Sequence, residues 1–122
     1  MRLEITGKIK PYVRMTQRGK WVKPDAQEYL ASKAAIQYKL KNQMAIQRLA
    51  PFPPQTPLKI SLSFRLPTPH RCDLDNLIKA VLDAAQGVVF KDDRWVDDIV
   101  ATRCTADEYA CVLRVEVLET QP

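Results

Sequence analysis

At 122 residues, 46% of them hydrophobic, the chain is about one domain long and carries enough apolar content for a core. No run of about 20 apolar residues offers a membrane span, and the polar alternation of Met1-Arg2-Leu3-Glu4-Ile5 lacks the apolar stretch of a signal peptide, so a cytoplasmic protein is expected. The net charge of +5 is divided unevenly: residues 1–50 carry 11 Lys/Arg against 3 Asp/Glu, whereas residues 51–122 carry 8 against 11. A basic half joined to an acidic half suggests a polyanion-binding surface beside a group of carboxylates; the plainer reading is a basic surface that only aids solubility. Cys72, Cys104 and Cys111 are odd in number and share no Cys-x-x-Cys spacing, which argues against a disulfide framework. His70 and Cys72 alone cannot complete a tetrahedral zinc shell.

Leu3, Ile5 and Ile9 alternate with Glu4, Thr6 and Lys8, so residues 2–9 read as a half-buried strand, weakest at Gly7. An irregular basic loop over residues 10–24 follows, in which Tyr12 and Trp21 are set among Lys10, Arg14, Arg18, Lys20 and Lys23. Cations hold phosphates and aromatic rings stack on exposed bases, so this mix suits nucleic acid, although a loop tryptophan also serves simply to cover a core. Asp25-Ala26-Gln27-Glu28 resembles a capping box that opens a helix. That helix buries Tyr29, Ile36, Leu40 and Met44, bears an alanine-rich second side, and stops before Pro51-Phe52-Pro53-Pro54-Gln55-Thr56-Pro57, a stiff connector inside one domain.

Ile60, Leu62, Phe64 and Leu66 alternate with Lys59, Ser61, Ser63 and Arg65, the clearest strand pattern in the chain. It leads through Pro67-Thr68-Pro69-His70-Arg71 into a helix that starts at Asp73, places Leu74, Leu77, Ile78, Val81, Leu82 and Ala85 on one face, and ends at Gly87. After Val88-Val89-Phe90 and the turn Lys91-Asp92-Asp93-Arg94, residues 99–104 and 111–118 read as two strands joined by a loop short enough for a hairpin. The order strand, helix, strand, helix, strand, strand predicts a small single α+β domain over residues 1–122, with a mixed sheet packed against two main helices.

Asp73 and Asp75 stand at the start of the second helix, Lys79 follows one turn later, and Asp92-Asp93 can fold back beside them. Two or three carboxylates suffice for a hard divalent cation that keeps several of its waters, and such ions support phosphodiester hydrolysis. Lys79 would then stabilise charge on phosphorus or help position the attacking water. The competing reading makes Asp73 a helix cap and Asp75, Lys79 and Asp83 an exposed charge ladder. Coexistence with a basic, aromatic-bearing half favours the site, and leaves Asp83 as surface charge.

Arg71-Cys72-Asp73-Leu74-Asp75-Asn76-Leu77-Ile78-Lys79-Ala80, followed by Gly87-Val88-Val89-Phe90-Lys91-Asp92-Asp93, resembles the signature of the RusA family of Holliday-junction resolvases, small dimeric endonucleases often encoded by prophages. More loosely, Arg14-Met15-Thr16 and Lys20-Trp21 are similar to the basic N-terminal loop of some members. The resemblance implies a RusA-like mixed α/β fold, Mg²⁺ or Mn²⁺ as cofactor, and a homodimer that makes paired nicks across a four-way DNA junction in recombination and repair. By position it implies Asp73, Asp75 and Asp93 as metal-binding catalytic aspartates and Lys79 as the catalytic lysine, with Asp92 a possible metal neighbour. DNA contacts are expected from Arg14, Arg18, Lys20, Lys23 and Arg71, with Lys33 a further candidate. Two alternatives use the same residues: another structure-selective nuclease of phage type, and a non-catalytic DNA-binding dimer in which the aspartates only cap a helix.

Overall fold

The computed structural model describes residues 1–14 and 24–119. Strand β1 (Arg2–Thr6) is shorter than the alternation over residues 2–9 predicts, because Gly7 turns the chain at a φ of +91°. That left-handed region strains any residue with a Cβ. Helix α1 (Pro24–Gln47) follows, with proline in its first turn, where the missing N–H removes no helical hydrogen bond. Asp25 therefore lies inside the first turn and is not the cap, a shift of two residues from the capping-box reading. The predicted stripe of Tyr29, Ile36, Leu40 and Met44 is buried, joined by Ala26. Arg48, at a φ of +56°, closes the helix, and the Leu49 N–H reaches back to the Met44 carbonyl at 2.8 Å.

Strand β2 (Leu58–Leu66), helix α2 (Leu74–Ala85), strand β3 (Val96–Thr105) and strand β4 (Ala110–Val117) complete the fold. The sheet order is β1-β4-β2-β3. Strand β4 runs antiparallel to both β1 and β2, while β3 runs parallel to β2, so the sheet is mixed as expected. The expected hairpin between the last two strands does not form: β3 and β4 flank β2 on opposite sides. Burial explains the partition. Strand β4 buries Cys111, Leu113 and Val115 and suits an interior position. Strand β3 carries Asp97, Asp98, Thr102 and Cys104 exposed, the composition of an edge. Its parallel run beside β2 requires a crossover, and α2 supplies it.

The core forms on one face of the sheet. Leu58, Ile60, Leu62, Phe64 and Leu66 from β2 meet Leu3 and Ile5 from β1, the α1 stripe, and Leu77, Ala80, Val81, Ala84 and Ala85 from α2. Each large side chain removed from water there contributes roughly 1.5–3 kcal/mol. Three α1 side chains also satisfy the outer edge of β1: Gln43 brackets the Glu4 backbone, Gln47 donates to the Arg2 carbonyl at 3.2 Å, and Lys39 donates to the Thr6 carbonyl. The proline-rich connector is pinned as well, by the Phe52 N–H donating to the Val89 carbonyl at 2.9 Å. No helix among the described residues is long and apolar enough to cross a membrane.

Candidate active site

Strand β2 leads through a single 3₁₀ turn, Pro69–Arg71, to the start of α2. Asp73 occupies the cap position with extended backbone angles, φ −75° and ψ 138°, yet its side chain makes no capping hydrogen bond. Backbone groups hold the turn instead: the Asp73 carbonyl accepts from the Asn76 N–H at 3.2 Å and the Leu77 N–H at 3.3 Å. From β3, the Arg103 guanidinium donates to the Cys72 carbonyl and fixes the entry to the helix. The Asp73 carboxylate is thus free of the structural task that the capping reading gave it.

The charge-ladder reading also fails in detail. Asp75, Lys79 and Asp83 follow one another at four-residue spacing, but no ion pair joins them among the described residues. Asp75 and Lys79 are exposed. Asp83, expected as surface charge, is half-buried: one carboxylate oxygen accepts from the Tyr29 hydroxyl at 2.6 Å, and the other meets Lys33 Nζ at 3.4 Å. Burial first, then that hydrogen bond, holds the Tyr29 phenol above its usual pKa. The Lys79 ammonium lies over the Tyr12 ring, 5.8 Å from its centroid.

Asp92 and Asp93 fold back onto α2, at a lower level than the sequence suggests. Strand β3 is parallel to β2 and starts beside Leu58, whereas Asp73 follows the other end of β2 at Leu66. The turn before β3 therefore reaches α2 beyond its first turn. Asp93 shares a depression of about 300 Å³ with Tyr12, Lys79, Leu82 and Asp83. Asp75 stands one turn, about 5.4 Å, nearer the helix start than Lys79. Burial first, and then the neighbouring carboxylates Asp92 and Asp83, raise the Asp93 pKa above its usual value. Asp92 has a structural task, accepting from the Arg94 N–H at 3.0 Å to cap the 3₁₀ turn Asp93–Trp95, and this hydrogen bond is the main cause that lowers its pKa.

Among the described residues no group of three His, Cys, Asp or Glu side chains converges closely enough to hold a metal ion by itself. The donor chemistry nonetheless fits a hard divalent cation, because the acidic groups around α2 are all carboxylates. Magnesium is commonly held by one or two carboxylates together with waters and substrate phosphates, and a half-built protein shell suits that mode.

Of the predicted DNA-contacting cations, Arg14 and Arg71 are exposed. Arg71 borders a cavity of about 200 Å³ with Lys8, Lys10, Thr68 and Tyr109 near the start of α2. Lys33 is engaged with Asp83, and Lys10 with Glu28 at 3.1 Å. Arg18, Lys20, Lys23 and Trp21 lie outside the described residues. Tyr12, Tyr29 and Asp83 are site residues to which the sequence gave other tasks: Tyr12 a base-stacking ring in the basic loop, Tyr29 a core side chain, and Asp83 surface charge. The one sequence signal that tied any of them to the site is the i+4 spacing of Asp83 from Lys79.

A mixed sheet that delivers free carboxylates and a lysine to one helix, beside exposed arginines, has the makings of a phosphodiester-cleaving enzyme. A comparison with protein families bears this out: the family model described as "Endodeoxyribonuclease RusA" matches residues 4–117, nearly the whole chain, and the chain belongs to that family. It is thus a member of a nuclease family that acts on DNA. No curated protein matches it.

Proposed function

We propose that the chain acts as a homodimeric, divalent-metal-dependent endonuclease that resolves four-way DNA junctions by paired symmetric nicks. The observation that carries this reading is the state of α2. The Asp73 carboxylate does not cap the helix, Asp75 and Lys79 have no ion-pair partner among the described residues, and Lys79 faces the same depression as Asp93. Exposed charges without ion-pair partners, on a helix whose opposite side buries Leu77, Ala80, Val81, Ala84 and Ala85, are poised for an external ligand. Family membership makes that ligand DNA.

In this reading Asp73, Asp75 and Asp93 are the carboxylates from which one or two at a time would hold Mg²⁺ or Mn²⁺, with waters and DNA phosphates completing the shell, and Asp92 shapes the turn that presents Asp93. The bound ion supplies Lewis acidity and an activated water. Lys79 sets its ammonium against the charge that grows on the phosphoryl oxygens, a contribution greatest in the transition state. Arg14, Arg18, Lys20, Lys23 and Arg71 neutralise backbone phosphates and orient the junction without reading its sequence. One chain carries one such site, and coordinated cutting of two strands needs two, which is the reason for a homodimer.

The test is cleavage of a panel of substrates (a mobile four-way junction, a flap, linear duplex and single strand) with Mg²⁺ or Mn²⁺ titrated from zero. Symmetric nicking of the junction, dependent on the metal, is the expected outcome. Preferential cutting of the flap would assign a different structure-selective nuclease, and no cutting of any substrate would leave only DNA binding.

A further inference from the structure

Lys79 and Asp83 are four residues apart on one helix, the spacing at which opposite charges normally meet. Here they do not pair. Asp83 is drawn to the Tyr29 hydroxyl at 2.6 Å and to Lys33 at 3.4 Å. Tyr29 is only 1% exposed, so its ring is fixed in the core. Tyr12 meets that ring edge to face, with centroids 5.6 Å apart and planes at 83°, and its backbone N–H donates to the Asn76 carbonyl of α2 at 3.0 Å. The ring so held lies 5.8 Å below the Lys79 ammonium, within cation–π range. Tyr12, Lys79 and Asp83 line the depression that contains Asp93.

The geometry points to Tyr12 as a positioning residue for Lys79: its ring, clamped by Tyr29 and the Asn76 carbonyl, holds the ammonium over the depression while Tyr29 and Lys33 keep Asp83 from neutralising it. A π face suits this task better than a carboxylate would. It limits where the ammonium goes and leaves its positive charge available to a phosphate. The inference rests on the catalytic reading of Lys79, and its test separates the two.

Two measurements on the full chain decide it. The first, on metal-free and DNA-free protein, follows the Lys79 ε-methylene NMR resonance, assigned by its disappearance in Lys79→Arg. The ring should displace it upfield in the wild type and in Tyr12→Phe, and the displacement should vanish in Tyr12→Leu. An identical resonance in the wild type and Tyr12→Leu overturns the contact. The second is single-turnover cleavage of a four-way junction. Tyr12→Leu should lower the rate roughly tenfold or more with junction affinity within about twofold, Tyr12→Phe should restore it, and Tyr12→Leu should cost nothing further in a Lys79→Ala background. An equal loss in that background overturns the proposal, because Tyr12 would then act by another route. A cleavage rate untouched by Lys79→Ala overturns the catalytic reading of Lys79 and the proposal with it, even where the NMR contact stands.

Discussion

Asp92 and Asp93 are adjacent and chemically identical, and their surroundings divide the work between them. Asp92 accepts a backbone hydrogen bond from Arg94, and Asp93 looks into the depression beside Lys79. Asp92→Ala should therefore lower stability slightly through the lost hydrogen bond and leave measurable cleavage, whereas Asp93→Asn should remove cleavage and spare stability. Thermal melts and single-turnover rates on both variants check the division, and equal loss of cleavage in the two would erase it. Cys111 gives a second residue-scale expectation. Burial pushes its thiol pKa from 9.0 up to about 12. The neutral thiol is thus favoured by folding, a contribution complete below about pH 9 and lost as pH rises toward 12. In native protein between pH 7 and 9, a thiol reagent should modify exposed Cys104 readily and Cys111 only after denaturation, and rapid native labelling of Cys111 would contradict its burial.

Helix α2 links core to chemistry. Leu77 is 1% exposed at the end of the first turn, so Leu77→Ala should cost about 2–5 kcal/mol in denaturant unfolding. Gly87, at a φ of +84°, follows the helix, and its N–H donates to the Phe90 carbonyl at 2.7 Å. Open space surrounds the position of its absent Cβ, so Gly87→Ala should destabilise by about 1–2 kcal/mol through backbone strain alone, and a neutral substitution would show that the turn relaxes. This helix was legible in the sequence because its apolar period is strong and local. Its boundaries and the placing of Asp73 at its start follow from spacing, but its buried face does so only in part: Leu77, Val81 and Ala85 are buried as predicted, Leu74, Ile78 and Leu82 are half-buried, and Ala80 and Ala84 complete the face. The pairing of the last two strands was not legible. A four-residue gap permits a hairpin, but the choice between the two sides of β2 is made by burial of Leu113 and Val115 against the charges of β3, a comparison across the whole sheet. The diversion of Asp83 to Tyr29 was equally hidden, since 54 residues separate the partners.

For the molecule as a whole, the division into a basic N-terminal half and an acidic C-terminal half becomes a spatial juxtaposition. The Tyr12 N–H donates to the Asn76 carbonyl and so ties residues 10–14, which carry Lys10 and Arg14, to the helix that bears Asp75 and Lys79. Loss of Arg14 or Arg71 should weaken junction binding and reduce the slope of log affinity against log salt by about one unit for each phosphate contact removed. Lys33→Ala, which removes a cation already paired with Asp83, should leave that slope unchanged. A titration of affinity against salt concentration separates these outcomes, and an unchanged slope removes Arg14 or Arg71 from the interface. The most direct test of the account compares wild type with Asp75→Asn on a mobile four-way junction in Mg²⁺, with binding measured in EDTA. Paired nicks by the wild type, none by the variant, and equal junction affinity for both are the expected result. Cleavage by Asp75→Asn at the wild-type rate, or a wild type that never cuts the junction with either Mg²⁺ or Mn²⁺, would contradict it.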